Sequence, residues 1–391
     1  MKKRYLIIGA SAAGISAAAK IRQLDADAEI ICFTAEQEMP YNKCFLADYL
    51  SGLKTCEQTA LRSEDFFKQQ NINIKCGTFI KHIDAEKKHI VCHKNVEHPY
   101  TKLLLATGGS VKLPELKGIN SKHVFPFYTL EDTQIILDYA QQNHVKRVVI
   151  VGAGLSGLEC ADSLIDYVES IEVLEREKHV LARQITQEGA EFIQEKMQQA
   201  GVTFTPNVTV KEIKKDSVFL QDDTEVKADM VVCAIGARPN GGLGHNAGLT
   251  VNEGALVTND FLTTSNEHIF AAGDCAQVKD KVTGKQVKSC TWPDAMLQGM
   301  VAGTNMVEPT RQYPGVVIVT SSAFFDVKFF SAGHIEESTS YNSVLRKHQE
   351  AYRLVLHQDG VVKGFVLIGQ THGVADLKRS LLTGKPCTLP E

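Results

Sequence analysis

The chain lacks most of what holds small or extracellular folds together. Its 10 cysteines include no Cys-x-x-Cys pair and no cluster with histidine. That argues against a zinc ribbon, a thioredoxin-type dithiol and a disulfide framework, and no metal is expected. No apolar run is long enough to cross a bilayer. There is no long basic stretch, and 42 basic residues against 46 acidic ones leave a formal charge of −4, so neither nucleic acid nor an anionic membrane is an expected partner. The basic start Met1-Lys2-Lys3-Arg4 and the apolar residues after it have the outline of a secretory signal. Cleavage there would remove a glycine loop that the later residues need, so a cytoplasmic location is expected.

What is present is glycine in two places where a phosphate would need it. Gly9-Ala10-Ser11-Ala12-Ala13-Gly14 and Gly152-Ala153-Gly154-Leu155-Ser156-Gly157 follow the apolar runs 5–8 and 147–151, and each opens a helical stretch. A pyrophosphate approaches a helix N-terminus only where side chains are missing or very small. Such a loop also calls for a carboxylate at the end of the next strand, to accept hydrogen bonds from ribose hydroxyls. Both loops have one, Glu36 after the run 29–33 and Glu175 after the run 171–174. The first loop carries Ser11 in place of the middle glycine, whereas the second keeps all of its glycines. Two dinucleotides are therefore predicted. Glu175 favours NADH, because a carboxylate repels a 2′-phosphate, while Arg176 beside it keeps NADPH open.

The pattern around the loops repeats. Strand, helix 12–24 and a strand ending at Phe33 form a βαβ unit, and residues 102–109 read as a buried strand stopped by glycine. A second unit starts at Arg147 and passes through a helix at 186–200 and strands at 202–204 and 208–213. It closes with a strand running to Gly236, echoing the exit at Ala106-Thr107-Gly108. The two halves read as an internal duplication. Another buried strand ends at Gly273-Asp274, and a helix from about Pro293 to Met306 follows, with proline in the first turn where a missing N–H does no harm. Short β-like runs at 316–319, 353–356 and 364–368 and a helix at 374–382 complete the chain. The predicted class is α/β. Two Rossmann-like domains are expected, the first made of 1–119 and 241–312 and the second, 120–240, inserted in it, with a small α+β domain over 313–391.

Four features taken together resemble the FAD-dependent pyridine nucleotide-disulfide oxidoreductases over nearly the whole chain. They are the first loop with Glu36, the Ala106-Thr107-Gly108 exit, the second loop with Glu159 and Glu175, and Ala272-Gly273-Asp274. The resemblance implies FAD in the first domain, held by Gly9, Ser11, Ala12, Ala13, Gly14, Glu36, Lys43, Ala106, Thr107, Gly108, Gly273, Asp274, Trp292 and Pro293. It implies NADH, with NADPH possible, in the second, held by Gly152, Gly154, Leu155, Ser156, Glu175 and Gly236. Asp274 is then expected at the ribityl chain or pyrophosphate. The Pro293 helix would aim its positive end at the flavin pyrimidine edge, where it stabilises reduced flavin. Glu159 is expected to face the flavin paired with a lysine, and Lys43 is the candidate partner, although Asp48 stands where some relatives have lysine.

The electron acceptor is less sharply implied. The paired dithiol of glutathione- and lipoamide-type relatives is absent. Residues 39–50, Met-Pro-Tyr-Asn-Lys-Cys-Phe-Leu-Ala-Asp-Tyr-Leu, put Cys44 where single-cysteine NADH oxidases, peroxidases and coenzyme A-disulfide reductases keep a redox thiol. A thiol beside Lys43 at a helix start is expected to ionise readily. The other reading makes Cys44 a small residue packed against the flavin. The run 364–371 followed by Asp376-Leu377-Lys378-Arg379 is similar to the short final domain of rubredoxin reductases and of the flavoprotein part of nitrite reductases. The leading implication is an FAD-dependent NAD(P)H oxidoreductase that takes hydride from NADH at flavin N5 and reduces a small carrier protein of rubredoxin or ferredoxin type. The alternative is a thiol-assisted oxidase, peroxidase or disulfide reductase using Cys44, and a slowly turning flavin-binding protein is a third class.

Overall fold

The apolar runs that precede the two glycine loops form the central strands of two parallel sheets. The structure is a computed structural model and describes residues 2–335, 341–348 and 351–388. In the first sheet Arg4–Ile8 lies between Lys102–Leu105 and Glu29–Phe33, with Ile269–Ala271 and Ile72–Lys75 outermost, and every pairing is parallel. In the second, Arg147–Val151 lies between Met230–Cys233 and Ser170–Leu174, with Val124–Pro126 and Val202–Thr205 outermost, again all parallel. Both faces of these inner strands are covered, one face of the second sheet by Ile213, Val218 and Leu220, so strands such as 5–7 and 148–150 are apolar throughout and essentially inaccessible.

Each sheet inserts the same three-stranded antiparallel meander ahead of the strand that carries its glycine exit. In the first it is Ile80–Asp84, His89–Cys92 and Glu97–Pro99; in the second, Val210–Lys214, Ser217–Leu220 and Glu225–Lys227. The internal duplication thus extends to strand order. The copies differ in one outer strand. Ile269–Ala271 comes last along the chain in the first sheet, whereas Val124–Pro126 precedes its own loop strand in the second.

Internal contacts divide the chain into two compact units, one of residues 1–44, 56–110 and 238–316, the other of 45–55, 111–237 and 317–391. Residues 45–55 belong to the second because the short helix Leu46–Leu50 packs on the helices Leu130–Gln142 and Leu155–Leu164. The Ser163 hydroxyl donates to the Ala47 carbonyl across that contact at 3.0 Å. The second unit also holds an antiparallel sheet in the order Val319–Phe324, Val327–Gly333, Val361–Ile368, Ala351–Gln358, Asn342–His348, with the helix Val374–Thr383 against it. The strand expected at 316–319 instead begins at Val319, since Val316 is taken by an isolated bridge to Asp280 in the first unit. Two strands there were not anticipated. Asn342–His348 is an exposed edge with little apolar alternation, and Val327–Gly333 is interrupted by Ser331 and ends in glycine.

Within the first unit, the helix Trp292–Val307 crosses the helix Ala12–Leu24 at backbone contact. A Cβ added at Gly299 would sit 2.1 Å from the Ala13 carbonyl oxygen, and one at Gly303 would sit 2.7 Å from that of Ala17. This crossing puts the first turn of the Trp292 helix beside the first glycine loop, where a Cβ on Gly273 would touch both Ala13 and Ala295.

Candidate functional site

The two glycine loops share one steric logic. Gly9 and Gly152 take φ of +107° and +109°, and a Cβ on either would run into the carbonyl of Ala106 or Ala234, at 1.9 and 2.6 Å. The last glycines, Gly14 and Gly157, would each place a Cβ 1.9 Å from the carbonyl oxygen of the first. The protein itself therefore requires the outer glycines. The middle position is different. Gly154 and Ser11 both cap the following helix in extended conformation, and a Cβ on Gly154 would meet nothing within 4 Å. That side is left open by protein atoms, at a helix N-terminus whose amides point outward, and it fits a pyrophosphate. It also explains why Ser11 is tolerated: its side chain forms no cap hydrogen bond and clashes with nothing the fold demands.

Both predicted ribose carboxylates stand at their strand ends, with carbonyls held alike by the amides of Gly77 and Val208 just past the next strand. Their side chains differ. Glu36 accepts the Tyr41 hydroxyl on one oxygen and faces Lys43 Nζ at 3.2 Å on the other, while Lys43 lies 5.8 Å from the Tyr41 ring centre. Glu175 folds onto its own loop, accepting the Ala153 amide at 2.6 Å and the Glu177 amide at 2.9 Å. Arg176 turns outward to Glu177 at 3.1 Å on an exposed surface.

The remainder of the first unit's site is built around two glycine turns. Gly108, with φ of +61°, follows half-buried Thr107, and Asn240 clasps the pair. Thr107 Oγ1 donates to the Asn240 carbonyl at 2.7 Å, the Asn240 side-chain amide returns a bond to the Thr107 carbonyl at 3.0 Å, and Ser110 donates to Asn240 Oδ1 at 2.7 Å. At the other turn, the Gly273 amide donates to Gln298 Oε1 at 2.7 Å. Gln298 Nε2 in turn donates to Asp294 at 2.6 Å, and the Tyr313 hydroxyl donates to the other Asp294 oxygen at 2.5 Å. Asp274 is half-buried next to this network. Burial pushes its carboxyl up, Lys43 pulls it down, and the negative charge of Asp294 pushes it up further. Trp292 is half-buried and Pro293 exposed at the start of the helix.

In the second unit, Leu155 and Ser156 form the first helical turn after the loop, and Gly236, with φ of +96°, is exposed at the strand exit. Glu159 Oε1 accepts the Ser322 hydroxyl at 2.6 Å, and one turn later Asp162 accepts the Phe325 amide at 2.9 Å. Both carboxyls are pushed up by burial. The Ser322 bond partly offsets this for Glu159, whereas Asp48 and Asp162 add to it. The hairpin turn they hold, Phe325-Asp326, takes positive φ at both residues without a glycine.

Among the ten cysteines there is no disulfide. Cys32, Cys160 and Cys233 are fully buried, and burial raises their thiols, Cys32 and Cys233 to about 12, which suits the inert packing expected of them. Cys44 is exposed in the 3-10 turn Lys43–Phe45, its amide donating to Asn42 Oδ1 at 3.0 Å. Sequence reading passed over Asn240, the Asp294–Gln298–Tyr313 network and Ser322. Only the i, i+4 spacing of Asp294 and Gln298 left a local trace of any of them. Among the described residues, no helix is long and apolar enough to cross a membrane, and no group of three metal-ligating side chains converges.

Paired nucleotide loops with acidic strand ends on two parallel sheets define a flavin- and pyridine-nucleotide-dependent oxidoreductase scaffold. The model of the pyridine nucleotide-disulphide oxidoreductase family matches residues 3–299, and the chain belongs to that family, whose members use FAD and NAD(P)H. It is 29% identical over 388 residues to the assimilatory nitrate reductase electron transfer subunit of Bacillus subtilis, covering 97% of this chain but only 49% of that protein. It is 32% identical over 340 residues to the NADH oxidase of Methanocaldococcus jannaschii, covering 84% of this chain and 76% of the other. Among solved structures, a NAD-dependent persulfide reductase from A. fulgidus superposes with a TM-score of 0.91 at 27% identity, covering 98% of this chain and 77% of that one.

Proposed function

We propose that this chain is an FAD-dependent NAD(P)H oxidoreductase that takes hydride from NADH and delivers electrons to a small redox protein of rubredoxin or ferredoxin type. The observation that carries the reading is the pair of loops whose outer glycines are required by the backbone while the middle position opens outward. Bound FAD supplies a hydride acceptor that can release its electrons one at a time. The first loop, with Glu36, Thr107 and Asp274, would hold that group. The second loop, with Glu175, would orient the visiting nicotinamide nucleotide by its ribose and pyrophosphate. The amide end of the Trp292–Val307 helix favours negative charge beside the Gly273 turn.

The choice of a carrier over dioxygen is supported by the span of the similarity. The match to an electron transfer subunit covers 97% of the chain, whereas the NADH oxidase match covers 84%. A second reading is favoured by the match to the persulfide reductase structure, which spans 98% of the chain, and by one observation on Cys44. Cys44 is exposed beside Lys43, as a thiol that cycles through a sulfenate or mixed disulfide would need to be. Anaerobic NADH titration followed by stopped-flow mixing with rubredoxin, ferredoxin, dioxygen, peroxide and coenzyme A disulfide tests both. Under the proposal, Cys44→Ser reduces a carrier at close to the wild-type rate. Loss of a long-wavelength charge-transfer band together with peroxide or disulfide turnover in Cys44→Ser would transfer the assignment to the thiol route.

A further inference from the structure

Asp294 is a carboxylate buried in the first turn of the helix that abuts the first nucleotide loop, with 8% of its surface exposed. Its two oxygens accept from neutral donors, the Tyr313 hydroxyl at 2.5 Å and Gln298 Nε2 at 2.6 Å, so its charge is held without being cancelled. Gln298, completely buried, is fixed in orientation by the same bonds. With its amide reversed, a donor would face the Gly273 amide and an acceptor would face Asp294. Burying an uncancelled charge is costly, and an asparagine could satisfy the same partners by accepting from Gln298 Nε2 and donating to the Tyr313 hydroxyl oxygen. The arrangement is therefore poorly explained as a packing device.

Its position suggests an electrostatic role. Asp294 lies close enough to Asp274 to raise that carboxyl, and the next residue, Ala295, would touch a Cβ on Gly273, which itself would touch Ala13 of the first loop helix. A fixed negative charge here opposes the positive end of its own helix at the place proposed for FAD. Adding electrons to flavin builds negative charge, so the nearby carboxylate disfavours the reduced form.

We propose that Asp294, fixed by Tyr313 and Gln298, is a positioning residue that lowers the reduction potential of the bound flavin and so makes it a stronger donor to a low-potential carrier. The inference rests on the FAD reading above. It is tested on the flavin-loaded full chain by spectroelectrochemical titration, with flavin stoichiometry measured in parallel. Asp294→Asn is expected to shift the midpoint potential positive with stoichiometric flavin retained. Tyr313→Phe keeps the charge and is expected to leave the potential near the wild-type value. Should Asp294→Asn fail to fold, Asp294→Leu combined with Tyr313→Phe removes the charge and the Tyr313 donor, while Gln298 Nε2 keeps Ser289 Oγ at 3.3 Å, and it carries the same expected positive shift. An unchanged potential in the charge-removing variant overturns the inference and leaves the FAD reading intact. An equal shift in Tyr313→Phe overturns it too, because packing would then be the cause. A wild-type protein that takes up no flavin overturns the underlying reading and this inference together.

Discussion

Two alanine substitutions three residues apart in the second loop separate what the fold requires from what a ligand requires. At Gly157 the new Cβ would lie 1.9 Å from the Gly152 carbonyl oxygen, where ordinary contact begins at 3.4 Å. Both partners are backbone and cannot rotate away, so loop and helix must part by about 1.5 Å. Overpacking of this kind costs ~3 kcal/mol. For a unit of this size that lowers Tm by roughly 6–12 °C. At Gly154 the backbone has φ of −79°, which alanine adopts freely, and the Cβ meets nothing within 4 Å. The small loss of capping is offset by reduced freedom of the unfolded chain, and Tm should stay within about 2 °C. The methyl nevertheless occupies the side through which a pyrophosphate would approach. A misfit of ~2 kcal/mol there raises the NADH KM roughly 30-fold. Differential scanning fluorimetry paired with steady-state NADH oxidation, using ferricyanide as acceptor, reads both effects. The reasoning fails if Gly154→Ala melts as low as Gly157→Ala, or if it leaves KM unchanged.

Other outcomes follow from the same geometry. Glu175→Ala should raise KM for NADH about tenfold, the worth of one charge-assisted hydrogen bond, and narrow the preference over NADPH, as measured by parallel titrations with the two nucleotides. Burial holds the Glu159 carboxyl above its ordinary value of 4.5, so the folded protein binds that proton more tightly than the unfolded chain does. Stability from this group is therefore full in acid, and it falls as pH rises from the unfolded value through the folded one. Glu159→Gln, which can still accept from Ser322, should gain stability over wild type as pH rises across that window. Urea unfolding at a series of pH values checks the sign, and a constant difference would show that Glu159 titrates normally.

The parts of the fold that sequence makes visible are those written in neighbouring residues. The Ala12–Leu24 helix falls where it was read, and Gln187–Gln199 ends within a residue of its expected limits, because each joins a serine or threonine cap to a regular apolar period. The inner parallel strands 5–8, 103–105, 148–151 and 230–233 show as apolar runs, since both of their faces are covered. The loops reveal themselves through steric necessity at Gly9, Gly14, Gly152 and Gly157. What stayed hidden depends on residues far apart in the chain. Ser322 meets Glu159 across 163 positions and Asn240 closes on Thr107 across 133, and neither spacing repeats a periodicity. The Phe325-Asp326 turn was equally silent, as it reaches positive φ without glycine and is held in part by the distant Asp162. Tyr313 lies beyond the helix it serves, so only the fold discloses that it donates to Asp294.

The order of assembly during translation follows from the outer strand of the first sheet. Four of its strands have been synthesised once Leu105 is made, but the fifth, Ile269–Ala271, and the helix that seals against Ala13 and Ala17 are encoded only after the whole second nucleotide unit's parallel sheet. At typical ribosome speeds the unfinished sheet waits about ten to thirty seconds with its Lys102–Leu105 edge unpaired. A nascent chain of this design carries a ready template for mispairing throughout that interval, and any fragment ending before residue 271 inherits the same open edge permanently.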